Sequence, residues 1–191
     1  MAKKANKRSS NQLRIIGGEW RGRKLGFPDV EGLRPTTDRV RETLFNWLAP
    51  VIHDARCLDL FAGSGALGLE ALSRGAAEVQ FVDSDRRAVQ SLRDNLTLLK
   101  EERGKVVLGD ALSFLQGEPQ PFDLVFLDPP FRKELLQPCL ELLCSGGWLA
   151  ENARLYIEVE QELGEPQLPQ GWAMVRSKTA GQVIYGLATR N

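Results

Sequence analysis

Asp59-Leu60-Phe61-Ala62-Gly63-Ser64-Gly65-Ala66-Leu67-Gly68 is the stretch on which the fold turns. An apolar run ends in an acid, passes into a glycine-rich turn and continues with apolar residues at helical spacing. That pattern reads as strand, ligand-approaching turn and helix, with the glycines allowing backbone to come close to a bound molecule. Gly63-x-Gly65-x-x-Gly68 also fits the dinucleotide fingerprint, in which helix amides receive a pyrophosphate. Asp59 weighs against that ligand, because a carboxylate at the strand end repels a pyrophosphate and attracts a cation.

Outward from this turn, apolar β-rich runs alternate with helical segments. Cys57–Phe61, Val79–Asp83, Val106–Gly109, Leu124–Leu127 and Leu155–Val159 read as buried parallel strands, with helices at about 66–74, 86–100, 111–116 and 133–144 between them. Trp172–Lys178 and Gln182–Ala188 are joined by Thr179-Ala180-Gly181, too short for a parallel crossover. The expectation is an α/β fold with a mostly parallel seven-stranded sheet and a terminal antiparallel strand. Upstream, Leu13–Ile16 and Arg23–Phe27 flank Gly17-Gly18-Glu19-Trp20-Arg21-Gly22 as a small basic hairpin. Val40, Leu44, Trp47 and Leu48 then mark an amphipathic helix ending at Pro50. The chain thus divides into a basic tail at 1–12, disordered until bound, an extension at 13–50 and a sheet domain at 51–191.

The 191 residues suit one catalytic unit, and no apolar run approaches membrane-spanning length. The basic start lacks the apolar stretch of a signal peptide, so a soluble cytoplasmic monomer is expected. Cys57, Cys139 and Cys144 have no C-x-x-C spacing, and His53 is the single histidine, which removes a His-based triad and gives no reason to expect a metal. Net charge is zero, yet residues 1–41 carry 11 Lys and Arg against 4 Asp and Glu, and the remainder 14 against 21. A polyanion responds to the local field of such a basic patch, so nucleic acid remains a partner.

Three strand ends carry acids. Asp59 suits the ammonium of a methionyl group, Asp83 can accept from both ribose hydroxyls, with Asp85 as its rival, and Asp110 with the Ala111 amide can meet an adenine edge. Phe61, Gly63, Ser64 and Gly65 complete the cofactor-binding set. The alternative is that each Asp only caps the helix after it. Asp128-Pro129-Pro130-Phe131 follows the fourth strand at the same edge. An exocyclic amine on a base is a poor nucleophile, and the Asp128 carboxylate and Pro129 carbonyl can accept its two hydrogens and stabilise developing positive charge. Phe131 offers a stacking face, and Pro129 and Pro130 stiffen the backbone. Together these residues point to methylation of a base amine with S-adenosyl-L-methionine.

With Gly17–Leu25, Leu33–Leu48, the glycine turn and the tetrapeptide in place, the chain resembles the bacterial 16S ribosomal RNA guanine-N2 methyltransferases of the RsmD type from Leu13 to about Arg190. Arg-Pro-Thr-x-x-x-Val-Arg-Glu, at 34–42, is the most specific part of the match. The resemblance implies a Rossmann-like class I methyltransferase that modifies guanine N2 in 16S ribosomal RNA, within the small subunit or an assembly intermediate. It assigns Arg21, Arg23, Lys24, Arg34, Arg39 and Arg41 to RNA phosphates beside the catalytic pocket. An adenine-N6 methyltransferase, a nicotinamide-dependent oxidoreductase and a non-catalytic RNA-binding assembly factor are the competing readings.

Overall fold

The computed structural model describes residues 11–30 and 36–191. A hairpin of β1 (Asn11–Arg14) and β2 (Lys24–Phe27) precedes α1 (Asp38–Leu48), β3 (Arg56–Asp59), α2 (Ala66–Ser73), β4 (Glu78–Asp83) and α3 (Arg86–Leu99). Then come β5 (Gly104–Leu108), α4 (Ala111–Leu115), β6 (Phe122–Leu127), α5 (Leu136–Ser145), β7 (Leu149–Glu160), β8 (Trp172–Ala180) and β9 (Val183–Arg190). Seven strands form one sheet in the order β5-β4-β3-β6-β7-β9-β8. Strands β3 to β7 pair in parallel, and β9 runs antiparallel to both β7 and β8. The antiparallel strand is therefore last in the chain but lies one place inside the edge, which β8 forms.

The order reverses at β3, which pairs with β4 on one side and β6 on the other. Crossovers leave that point in opposite directions, and a crevice opens at the carboxyl ends of β3 and β6. The near-continuous apolar strands are explained by cover on both faces. Leu44, Phe45, Leu69, Phe81, Leu92 and Phe126 form one core beneath α1, α2 and α3, and Leu58, Val82, Val125, Leu127, Leu140 and Trp148 form the other beneath α4 and α5.

The described residues of the 13–50 stretch are part of this body rather than an appendage. Leu13, Ile15, Leu25 and Phe27 belong to the first core. Asn11 and Gln12, expected in the tail, pair with Phe27 and Gly26, so the ordered hairpin begins two residues early. The joint is the fully buried Glu70, whose carboxylate accepts from the amides of Ile16 (2.9 Å) and Gly17 (2.7 Å) and pairs with Arg74 (2.8 Å) and Arg41 (3.5 Å). Downstream, α5 starts at Leu136 rather than at 133, because Arg132 (φ 60°) and Glu134 (φ 50°) lie in the left-handed region and cannot belong to a right-handed helix. No helix among the described residues is long and apolar enough to cross a membrane.

Candidate active site

The crevice is built by the turns that follow β3, β4, β5 and β6. After β3, the N-cap of α2 is Gly65 at φ 79°, which has no side chain to offer the helix. Asp59 does that work from the strand: its Oδ2 accepts the Gly68 amide at 3.0 Å. A Cβ on Gly68 would lie 2.2 Å from Phe81 Cε1, so the third glycine is what lets α2 pack against β4. Asp59 is 2% exposed, and burial, reinforced by the nearby Asp83 and opposed by the Gly68 amide, pushes its carboxyl up to about 7. Ser64 is buried in the same turn and Phe61 is half-buried beside the second core.

After β4, Asp83 bridges two turns, accepting the Gly63 amide at 2.7 Å on one oxygen and the Asp85 amide at 2.8 Å on the other. Asp85 instead caps α3, accepting from Arg87 (2.7 Å) and Ala88 (3.3 Å) amides, and its pairing with the Arg87 guanidinium lowers its pKa. Of the two rivals, only Asp83 is joined to the glycine turn. Asp110 caps α4 through the Ser113 amide at 2.9 Å, a bond that lowers its pKa, and Ala111 is the buried first residue of that helix. Capping thus accounts for Asp85 and Asp110 directly, and for Asp59 at a distance. Neither Asp59 nor Asp83 pairs with a basic side chain among the described residues, so this end of the crevice favours a cationic ligand.

After β6 comes the tetrapeptide. Asp128 is half-buried, and its Oδ2 accepts from the Thr36 hydroxyl at 3.4 Å. Burial raises its carboxyl well above the usual range, with Glu158 and Asp59 adding to the effect and Thr36 opposing it. Glu158 arrives through strand register: Leu127 pairs with Ile157, and one further step sets Asp128 beside Glu158. The Tyr156 hydroxyl donates to Glu158 Oε2 at 2.8 Å beneath them. Phe131 and Arg132 line a cavity of about 370 Å³ with Glu160, Gln161, Glu162 and Gln182. A larger depression of about 450 Å³ between α3 and β5 touches none of these residues. Thr36, Tyr156 and Glu158 were missed by motif reading; the only signal was a Tyr-x-Glu pair facing one way in an otherwise apolar strand.

The basic residues need correction. Arg41 is 1% exposed and committed inside the fold, donating to Asp38 Oδ1 (2.6 Å), the Arg14 carbonyl (2.9 Å) and Glu70, so it cannot meet RNA. Its Nε has no hydrogen-bond partner. Arg21, Arg23 and Lys24 are exposed on the hairpin, with Arg21 and Arg23 flanking its tip. The hairpin tip rests on the end of α2, with the Glu19 amide on the Ser73 carbonyl (2.8 Å) and the Trp20 amide on Ser73 Oγ (2.9 Å). Since α2 starts at the glycine turn and descends, that end is opposite Asp128. Arg34 falls outside the described residues. Arg39 is exposed in the first turn of α1, three residues beyond Thr36, and so lies at the catalytic edge.

The family model described as "Conserved hypothetical protein 95" matches residues 13–189. Ribosomal RNA small subunit methyltransferase D of Escherichia coli K12 is 57% identical over 98% of this chain and 95% of that protein. Its Haemophilus influenzae namesake is 49% identical over 94% of each. A solved Escherichia coli structure, 56% identical, superposes with a TM-score of 0.89 over 94% of this chain and 98% of the other.

Proposed function

The chain belongs to the conserved hypothetical protein 95 family, the RsmD family, and from that membership and the geometry at Asp128 we propose that it is an S-adenosylmethionine-dependent methyltransferase acting on guanine N2 of 16S ribosomal RNA in the small subunit or its precursor. The observation that carries this reading is the pairing of a cation-favouring glycine turn with Asp128-Pro129-Pro130-Phe131 across one crevice.

Asp59 would hold the methionyl ammonium of the cofactor, Asp83 its ribose hydroxyls, and Asp110 with the Ala111 amide its adenine edge. S-adenosylmethionine supplies a methyl group activated on a sulfonium. Asp128 and the Pro129 carbonyl hold the two amino hydrogens of the guanine, turning the nitrogen lone pair away from the ring. Asp128, whose carboxyl is raised by burial, would accept the proton that the nitrogen sheds once it carries the methyl group. Phe131 stacks on the extruded base and Thr36 fixes the Asp128 carboxylate.

The test is incubation with tritiated S-adenosylmethionine and either naked 16S RNA or purified small subunits, followed by nucleoside analysis. Label in N2-methylguanosine is expected, and label in N6-methyladenosine would overturn the guanine assignment. Asp128→Ala should lower transfer at least about 10³-fold while cofactor affinity stays within about twofold.

A further inference from the structure

With the hairpin tip at the far edge, the cations that meet RNA must come from elsewhere. Four exposed basic side chains stand at the carboxyl edge around the tetrapeptide: Arg39, Arg132, Lys133 and Lys178. Among the described residues none of them is in an ion pair, whereas Arg41, Arg74, Arg87 and Arg103 are all held by acids.

Arg132 and Lys133 follow Phe131 directly. Arg132 is held at φ 60° and Glu134 at φ 50°, a conformation unfavourable for side-chain-bearing residues and concentrated at functional loops. The bend places Arg132 on the wall of the cavity that Phe131 lines. Lys178 is placed by register. Glu158 pairs with Tyr185 and Tyr185 with Lys178, so one row leads from Asp128 to the sheet edge. The row spans three strand spacings, about 14 Å. Lys178 Nζ lies 5.8 Å from the Trp47 ring, which stacks on Tyr185 at 5.7 Å. That stack holds the ammonium at the rim without neutralising it.

We propose that the RNA strand crosses the carboxyl edge, its phosphates held by Arg132 and Lys133 beside the tetrapeptide and by Arg39 and Lys178 further along that edge, with the hairpin tip taking no part. This rests on the reading of the chain as an RNA methyltransferase. Phosphates are the matching ligand because exposed cations with no ion pair among the described residues can position a polyanion without reading its sequence.

The experiment measures binding of the full-length protein to 16S RNA across a salt series, together with KM for RNA and Kd for S-adenosylmethionine. Arg132→Gln with Lys133→Gln should reduce the log–log salt slope by about 1.4, and Lys178→Gln or Arg39→Gln by about 0.7 each, if single-stranded RNA is contacted. KM should rise about tenfold or more in the double variant, with cofactor affinity unchanged, and Lys178→Arg should restore the slope. A triple Gln variant at Arg21, Arg23 and Lys24 should keep the wild-type slope. Wild-type slopes in the edge variants, or an equal loss in the tip variant, would overturn the path while leaving the methyltransferase reading intact. Failure of the wild-type protein to methylate RNA would remove both.

Discussion

Replacing Asp59 by Asn should stabilise the cofactor-free protein, and more so at alkaline pH. The folded carboxyl has been raised from 3.8 to about 7, so the folded form keeps a proton that the denatured chain releases. Stability consequently falls as pH rises from 3.8 towards 7 and levels off above it. At 1.36 kcal/mol per pH unit, the penalty is about 1.7 kcal/mol at pH 5 and about 4.3 kcal/mol at pH 8. Asn keeps an oxygen for the Gly68 amide and carries no charge, so the advantage of Asp59→Asn over wild type should grow by about 2.6 kcal/mol between those pH values. At 2–4 °C per kcal/mol for a chain of this size, that is roughly 5–10 °C in melting temperature. Calorimetry of both proteins at pH 5 and 8 gives the double difference, in which groups that do not sense the Asp59 charge cancel and Asp83 and Asp128, which do, contribute. The same variant should bind S-adenosylmethionine at least about tenfold more weakly at pH 8, having lost the charge opposite the ammonium. An advantage independent of pH would refute the assignment of a buried, proton-retaining carboxyl.

Three further substitutions separate structural roles from functional ones. Glu70→Ala removes the partner of two amides and two guanidinium groups at once, leaving the Ile16 and Gly17 amides unpaired and Arg41 with Asp38 as its one remaining acid among the described residues, so urea unfolding should show a loss of about 3–5 kcal/mol. Asp85→Ala should cost α3 about 1 kcal/mol as a lost cap and leave cofactor affinity unchanged, whereas Asp83→Ala should weaken cofactor binding about tenfold or more by calorimetric titration. Gly68→Ala forces a methyl against Phe81 and should destabilise by about 1–3 kcal/mol, read as a shift in the urea midpoint without change in slope.

What could be read along the chain was whatever depends on neighbours in sequence. Strand, turn and helix around Gly63–Gly68 follow from local periodicity, and the tetrapeptide was placed at the ligand edge once the strand before it was identified. Glu158 beside Asp128 is a consequence of parallel register, and Thr36 reaches Asp128 across 92 residues. Neither relation has a local signature. Charge counting misled in the basic head because it carries no depth. Arg41 counts as surface charge in the sequence, but its site in α1 is enclosed by the Asp38 carboxylate, the Arg14 carbonyl and Glu70, which together supply what the unfavourable position near a helix N-terminus withholds.

The capping and cofactor-binding readings of the acids were set against one another, and the geometry joins them. An Asp that accepts a helix amide has its carboxylate oriented at the strand end before any ligand arrives. Asp59 does this for α2 and Asp110 for α4, while Asp83 uses both oxygens to clamp the Gly63 turn to the start of the next loop. The arrangement costs most at Asp59, where ionisation within the core is unfavourable until a cation approaches. A ligand bearing an ammonium offsets that cost and a pyrophosphate deepens it. On the proposed reading, the discrimination between the two ligands that fit a glycine-rich turn resides in one buried carboxyl and its proton, and the glycines serve both equally.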